Sequence, residues 1–130
     1  MHKNQRRLPL GKNTERFVVN SLKLAGAQVK TSIELDHNYK IDFLILLNNL
    51  VYGVQLSLKQ DQLKAKISKI CALDIVPRFI YLSLSKHLIT KTDIQYGKDL
   101  RRILSNVSIN HSQPALWIHI DMNGVHIKNI

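Results

Sequence analysis

The stretch Tyr39–Gln60, "YKIDFLILLNNLVYGVQLSLKQ", decides how the rest of the chain folds. Two apolar-rich runs flank Asn48-Asn49, and each keeps a polar cluster in its outer half. Asn tolerates positive φ better than most residues, so Asn-Asn makes a good two-residue hairpin turn. Leu47 then faces Leu50, and further along the ladder Asp42 faces Gln55 and Lys40 faces Ser57. A four-residue loop over Leu47–Leu50 keeps the same register. Facing Cβ atoms lie roughly 4.5–5.5 Å apart, and alternation sends Lys40, Asp42, Gln55, Ser57 and Lys59 to one face. The polar residues therefore meet in one patch at the open end of a hydrophobic hairpin.

Working outward, Asn13 or Thr14 caps a helix that runs to Ala25 and is ended by Gly26. Its inward stripe is Phe17, Val18, Leu22 and Ala25. "AQVKTSIEL" alternates as a first strand, "HNY" turns, and the central hairpin follows as strands two and three. "QDQLKAKISKICALDI" reads as an amphipathic helix with Leu63, Ile67, Ile70, Cys71 and Leu73 or Asp74 near its inner side, stopped by Pro77. "RFIYLSLS" is a fourth strand and "TDIQYGKDLRRILSNV" a third helix, weakened by Gly97. "ALWIHIDMNGVHIKNI" is a closing hairpin around Asn123-Gly124, which sets His119 opposite His126. Cross-strand packing is the plainer reading of that histidine pair than metal binding. The order is α-β-β-β-α-β with an added helix and C-terminal β-hairpin: one α/β domain, a mixed central sheet flanked by helices.

The 130 residues suit a single domain over 1–130: a basic arm at 1–12, a core at 13–86, and the last helix and hairpin at 87–130. An apolar content of 45% argues against a disordered tail. The 19 Lys and Arg against 9 Asp and Glu leave a net charge of +10, which suits a polyanionic partner, nucleic acid first. Arg6 and Arg7 in the arm, Lys64, Lys66 and Lys69 on the second helix, and Lys98, Arg101 and Arg102 on the third are the candidate phosphate contacts. Tyr39, Tyr52 and Tyr96 are dispersed, so no stacking platform for single strands stands out. Backbone or shape recognition of duplex or branched DNA fits better. A lone Cys71 excludes an internal disulfide and a cysteine-rich zinc site. No apolar run approaches the ~18 residues of a membrane helix, and the opening "MHKNQRRLPLGKN" has no signal-peptide core; a cytoplasmic protein off the membrane is the expectation.

Acids are scarce, with only Glu15 and Glu34 as glutamates. Glu15 precedes Val18 and Leu22 at helical spacing, so it lies on the inward stripe and aims at the hairpin's polar patch. It also suits the positive end of the helix dipole, as Asp42 beside Lys40 or Lys59 suits a cross-strand ion pair. Glu34 and Asp36, at the end of the first strand, read as a solvated turn with spare carboxylates.

Glu15 in "NTERFVVNSL", Asp42 in "KIDFLIL" and Gln55 in "YGVQLSLK" together resemble the PD-(D/E)xK nuclease superfamily. Within it, the likeness is to the small Holliday junction resolvase-like and restriction-endonuclease-like proteins. The resemblance covers residues 13–86. It implies a restriction-endonuclease-like core in which Asp42, Glu15 and Gln55 hold Mg²⁺ or Mn²⁺ against a scissile phosphate, with a lysine assisting the attacking water. Gln55 stands where an acid is commoner, although some members carry Gln there. The usual lysine position is Ser57, which leaves Lys40 and Lys59 as substitutes. The implied catalytic set is Asp42, Gln55, Lys40, Lys59 and Glu15. The implied function is a metal-dependent endonuclease on duplex or branched DNA. The alternative is a degenerate module of the same fold that binds DNA or a protein without cutting. Members of this size often dimerise, so a homodimer through the last helix or hairpin is a further expectation.

Overall fold

The computed structural model describes residues 6–7, 12–85, 88–89 and 92–130. Its main sheet has six strands in the order β2-β3-β4-β5-β7-β8. Strands β2 (Val29–Lys30), β3 (Phe43–Leu47) and β4 (Leu50–Ser57) form an antiparallel meander. Strands β5 (Phe79–Leu84) and β7 (Ala115–Asp121) then add in parallel, and β8 (Gly124–Asn129) closes the sheet antiparallel to β7. A separate ribbon pairs β1 (Arg6–Arg7) with β6 (Leu88–Ile89). No helix among the described residues is long and apolar enough to cross a membrane.

The sheet is the middle of three layers. Helices α1 (Lys12–Leu24) and α4 (Asp93–Asn110) cover one face, where Val18, Leu22, Leu100, Leu104 and Val107 pack on Phe43, Ile45, Val54, Ile80, Leu82 and Leu116. Helices α2 (Ile33–Tyr39) and α3 (Gln62–Ala72) cover the other, where Ala65 and Ala72 pack on Phe79, Tyr81 and Trp117, with Leu35 and Tyr39 at the margin. The alternation of β4 divides its residues between these layers: Tyr52, Val54 and Leu56 face the first, Gly53 and Gln55 the second.

The central hairpin forms as its sequence predicts. Asn48 and Asn49 take φ values of 51° and 68°, and Leu47 pairs with Leu50 through to Phe43 with Val54. Gly26 ends α1 at φ 86°, and His119 lies opposite His126 with the rings stacked 6.0 Å apart.

Three expectations need correction. The strand expected over Ala27–Leu35 is only Val29–Lys30; residues 33–39, read as strand end and turn, form helix α2. Ser32 is extended just before it, Glu34 and Asp36 sit in its first turn at the positive dipole end, and Leu35 and Tyr39 are spaced to pack on one side. Lys40 consequently leaves the ladder. It closes α2 in the left-handed region at φ 59°, ψ 36°, so it does not face Ser57. The inner side of α3 is also rotated from expectation. Ala65, Ser68 and Ala72 are buried, while Leu63, Ile67 and Ile70 are exposed. Phe79, Tyr81 and Trp117 fill the space on that face of the sheet, so the helix above them must present small residues.

Candidate functional site

Asp42 sits just before β3, where the ladder frays. Its amide still donates to the Val54 carbonyl at 2.8 Å, and its Oδ2 accepts the Leu56 N–H at 2.7 Å. One carboxylate oxygen is thus fixed to the neighbouring strand. The first turn of α1 brings Glu15 to the same place, and α2 brings Asp36. One carboxylate oxygen from each of the three lies within 4.8 Å of the others, and all three side chains are half-buried. The expected meeting of Glu15 with Asp42 occurs. Asp36 joins them because the segment expected to be a turn is a helix.

So many carboxylates in a half-buried corner repel one another. Burial pushes the Asp42 carboxyl up from its ordinary 3.8 to about 7. A hydrogen bond with Asp36 and the charges of Asp36 and Glu15 add to the rise, against the Leu56 N–H, which favours the charged form. Either a proton or a cation relieves such a corner.

Two grooves meet at Asp36. One is lined by Glu15, Thr31, Ser32, Asp36, His37 and Asp42. The other is lined by Asp36, Lys40, Gln55, Asp61, Lys64 and Ser68, with Leu63 and Ile67 at its rim. Gln55 is only 8% exposed, and its Oε1 is buried without a hydrogen-bond partner among the described residues. A buried carbonyl oxygen in that condition costs roughly 1–3 kcal/mol unless something else satisfies it. Carboxylates with an amide oxygen make an all-oxygen donor set, which suits a hard divalent ion such as Mg²⁺ or Mn²⁺. The three carboxylates fit such an ion, with Gln55 on the adjoining groove that shares Asp36.

The two candidate amines separate. Lys40 lines the groove with Gln55 and Asp36. Lys59 is exposed; its backbone N–H donates to Ser57 Oγ at 3.1 Å, and its carbonyl accepts from the same hydroxyl at 3.0 Å. Lys64, expected from the sequence as a phosphate contact, is placed by α3 on the same groove as Lys40, in a turn whose N-cap Asp61 accepts the Lys64 N–H.

The basic residues do not form one surface. Lys64 and Lys66 are exposed on α3, and Lys98 and Arg102 on α4 in the opposite layer. Lys69 donates to the Ile130 carbonyl at 2.9 Å, Arg101 donates to the Ala25 carbonyl at 2.7 Å, and Arg102 pairs with Asp99 at 3.3 Å. The side chains of Arg6 and Arg7 lie outside what is described. His119 and His126 both approach Asp121, at 3.4 and 3.1 Å, but they belong to no three-ligand group among the described residues.

Compared with known proteins, the chain matches no family model, no curated protein and no solved structure.

Proposed function

We propose that the chain is a Mg²⁺- or Mn²⁺-dependent phosphodiesterase of the PD-(D/E)xK type, cutting duplex or branched DNA. The supporting observation is the convergence of Glu15 and Asp42, the two acids of the resemblance, within 4.8 Å at the frayed end of a hydrophobic hairpin. The antiparallel β3–β4 pair, the α3 connection and the parallel β4–β5 pair also support this reading, although α2 stands between β2 and β3 where the resemblance implies none.

Asp42, Glu15 and Gln55 hold the cation in this reading. A bound divalent ion supplies Lewis acidity toward a phosphoryl oxygen and a water acidified toward neutral pH. The chain's own residues do the rest. Asp42 is oriented by the Leu56 amide through one oxygen and meets Asp36 through its carboxyl, which keeps it in the acidic corner. Gln55 offers a neutral oxygen that none of the described residues uses. Lys40, on the same groove, offers a positive charge for the phosphate. The excess of positive charge brings a polyanion toward a site that is itself acidic.

The reading is tested by nicking of supercoiled and branched DNA with Mg²⁺ or Mn²⁺. Cleavage that disappears in Asp42→Ala supports it. Ser57 at the usual lysine position favours the other reading, a DNA- or protein-binding module of this fold without activity. Metal-independent binding without cleavage, unchanged in Asp42→Ala, is the result that selects that module.

A further inference from the structure

We propose that Asp36 is a direct cation ligand, carried on a helix that the cation itself draws into place. The inference rests on the metal-site reading above and departs from the acids that carry the resemblance. In that pattern the strand position held here by Gln55 usually carries a carboxylate. This chain has a neutral amide there, and a half-buried acid arrives from the other side of the groove instead.

Two independent observations support the substitution. The Asp36 carboxylate lies within 4.8 Å of those of Glu15 and Asp42. Asp36 also lines the second groove together with Gln55, whose buried Oε1 lacks a partner among the described residues. Asp36 is the residue common to both grooves. Glu15, Asp36 and Asp42 supply the anionic oxygens, and Gln55 the neutral one, in a set a hard divalent ion accepts.

The helix that carries Asp36 is anchored lightly. Helix α2 is seven residues long and has no fully buried side chain. Leu35 and Tyr39 are half-buried against the α3 layer, and Ile33 is 89% exposed. A helix this short is not stable by itself and depends on what it packs against. Asp36 reaches Asp42 through a side-chain hydrogen bond, yet the charges of Asp36 and Glu15 work against an ionised Asp42. A divalent ion bridges the same carboxylates without that opposition, so ion binding and α2 docking are linked.

The test uses the full chain and Mn²⁺ or Mg²⁺ alone. Calorimetric titration measures Mn²⁺ affinity in wild type, Asp36→Asn and Asp42→Asn, and hydrogen exchange follows amides 33–41 with and without Mg²⁺. Asp36→Asn is expected to weaken Mn²⁺ binding at least tenfold, and Mg²⁺ is expected to slow exchange in 33–41 in wild type but not in Asp36→Asn. Wild-type affinity in Asp36→Asn beside a loss in Asp42→Asn overturns the inference and leaves the nuclease reading standing. Unchanged exchange in a metal-saturated wild type overturns the docking of α2. If Asp36→Asn loses Mn²⁺ while wild type binds it and cuts no DNA, the inference stands and the nuclease reading falls. A wild type that binds neither ion overturns both.

Discussion

The charge of Asp42 is favoured by one neighbour and opposed by several. The Leu56 amide fixes its Oδ2, while burial and the neighbouring Asp36 and Glu15 raise its carboxyl to about 7 from 3.8. Between those two values the folded chain binds a proton that the unfolded chain has released. The contribution of this group to stability is therefore full below about pH 4 and is lost as pH rises through 7. Asp42→Asn keeps an acceptor for Leu56 and removes the charge. In chelator at pH 8 it is expected to be more stable than wild type by on the order of 2–4 kcal/mol, with the difference gone near pH 4. Urea unfolding at the two pH values measures this, and an equal gain at both would assign it to packing. Lys40 offers a second separation of fold from function. A lysine at φ 59° carries backbone strain that glycine lacks, so Lys40→Gly is expected to stabilise the fold by about 0.5–1 kcal/mol. In the proposed enzyme the same change lowers the nicking rate by roughly 10²-fold. A variant that melts higher yet cuts as well as wild type removes the Lys40 amine from the site.

At the scale of elements, α1 and α4 cross with their backbones in close approach. A Cβ on Gly97 would lie 1.8 Å from the Ser21 carbonyl oxygen, so the two backbones touch there. Gly97→Ala gains helix propensity but forces the helices apart, and a net loss of about 3 kcal/mol is expected. A thermal melt of that variant at or above wild type would mean that α4 does not cross α1 at this residue. From sequence, Gly97 looked only like a weak point in a helix, because propensity is local and the crossing is not. The same distinction explains what else was readable. The Asn48-Asn49 hairpin was legible because its turn chemistry and its period agree. Helix α2 was hidden by Val29, Thr31, Ile33 and Leu35, which alternate like a strand, while Leu35 and Tyr39 also fit one side of a helix; packing against α3 decided between them. Helix α3 misled in another way. Its largest apolar residues, Leu63, Ile67 and Ile70, mark the exposed side, and alanines take the inside because the sheet's aromatic residues already fill it. The candidate site followed the same rule: Glu15 and Asp42 were placed by period and register and Lys64 by charge, whereas Asp36 required the tertiary structure.

For the whole molecule, the basic side chains among the described residues stand on both sides of the sheet. Lys64 and Lys66 stand on α3, Lys98 and Arg102 on α4, with the sheet between them. A duplex laid along the groove that holds Lys40 and Gln55 meets the α3 set, because Lys64 lines that groove and no α4 residue does. Arg101 is committed elsewhere, its guanidinium tying the end of α1 at Ala25 to α4. DNA binding by the proposed nuclease should accordingly depend on salt in a way that separates these residues. Lys64→Ala is expected to weaken binding uniformly across sequences and to reduce the slope of log K against log[salt] by about 0.9, one phosphate's share on duplex DNA. Arg101→Ala is expected to leave that slope unchanged and to cost about 1 kcal/mol of stability through the lost hydrogen bond. Fluorescence anisotropy with a short duplex in Ca²⁺, titrated at several salt concentrations, reads the slopes directly. If Arg101→Ala lowers the slope and Lys64→Ala does not, DNA lies on the α1/α4 layer, and the acidic corner between the two grooves faces away from the phosphates it was proposed to cut.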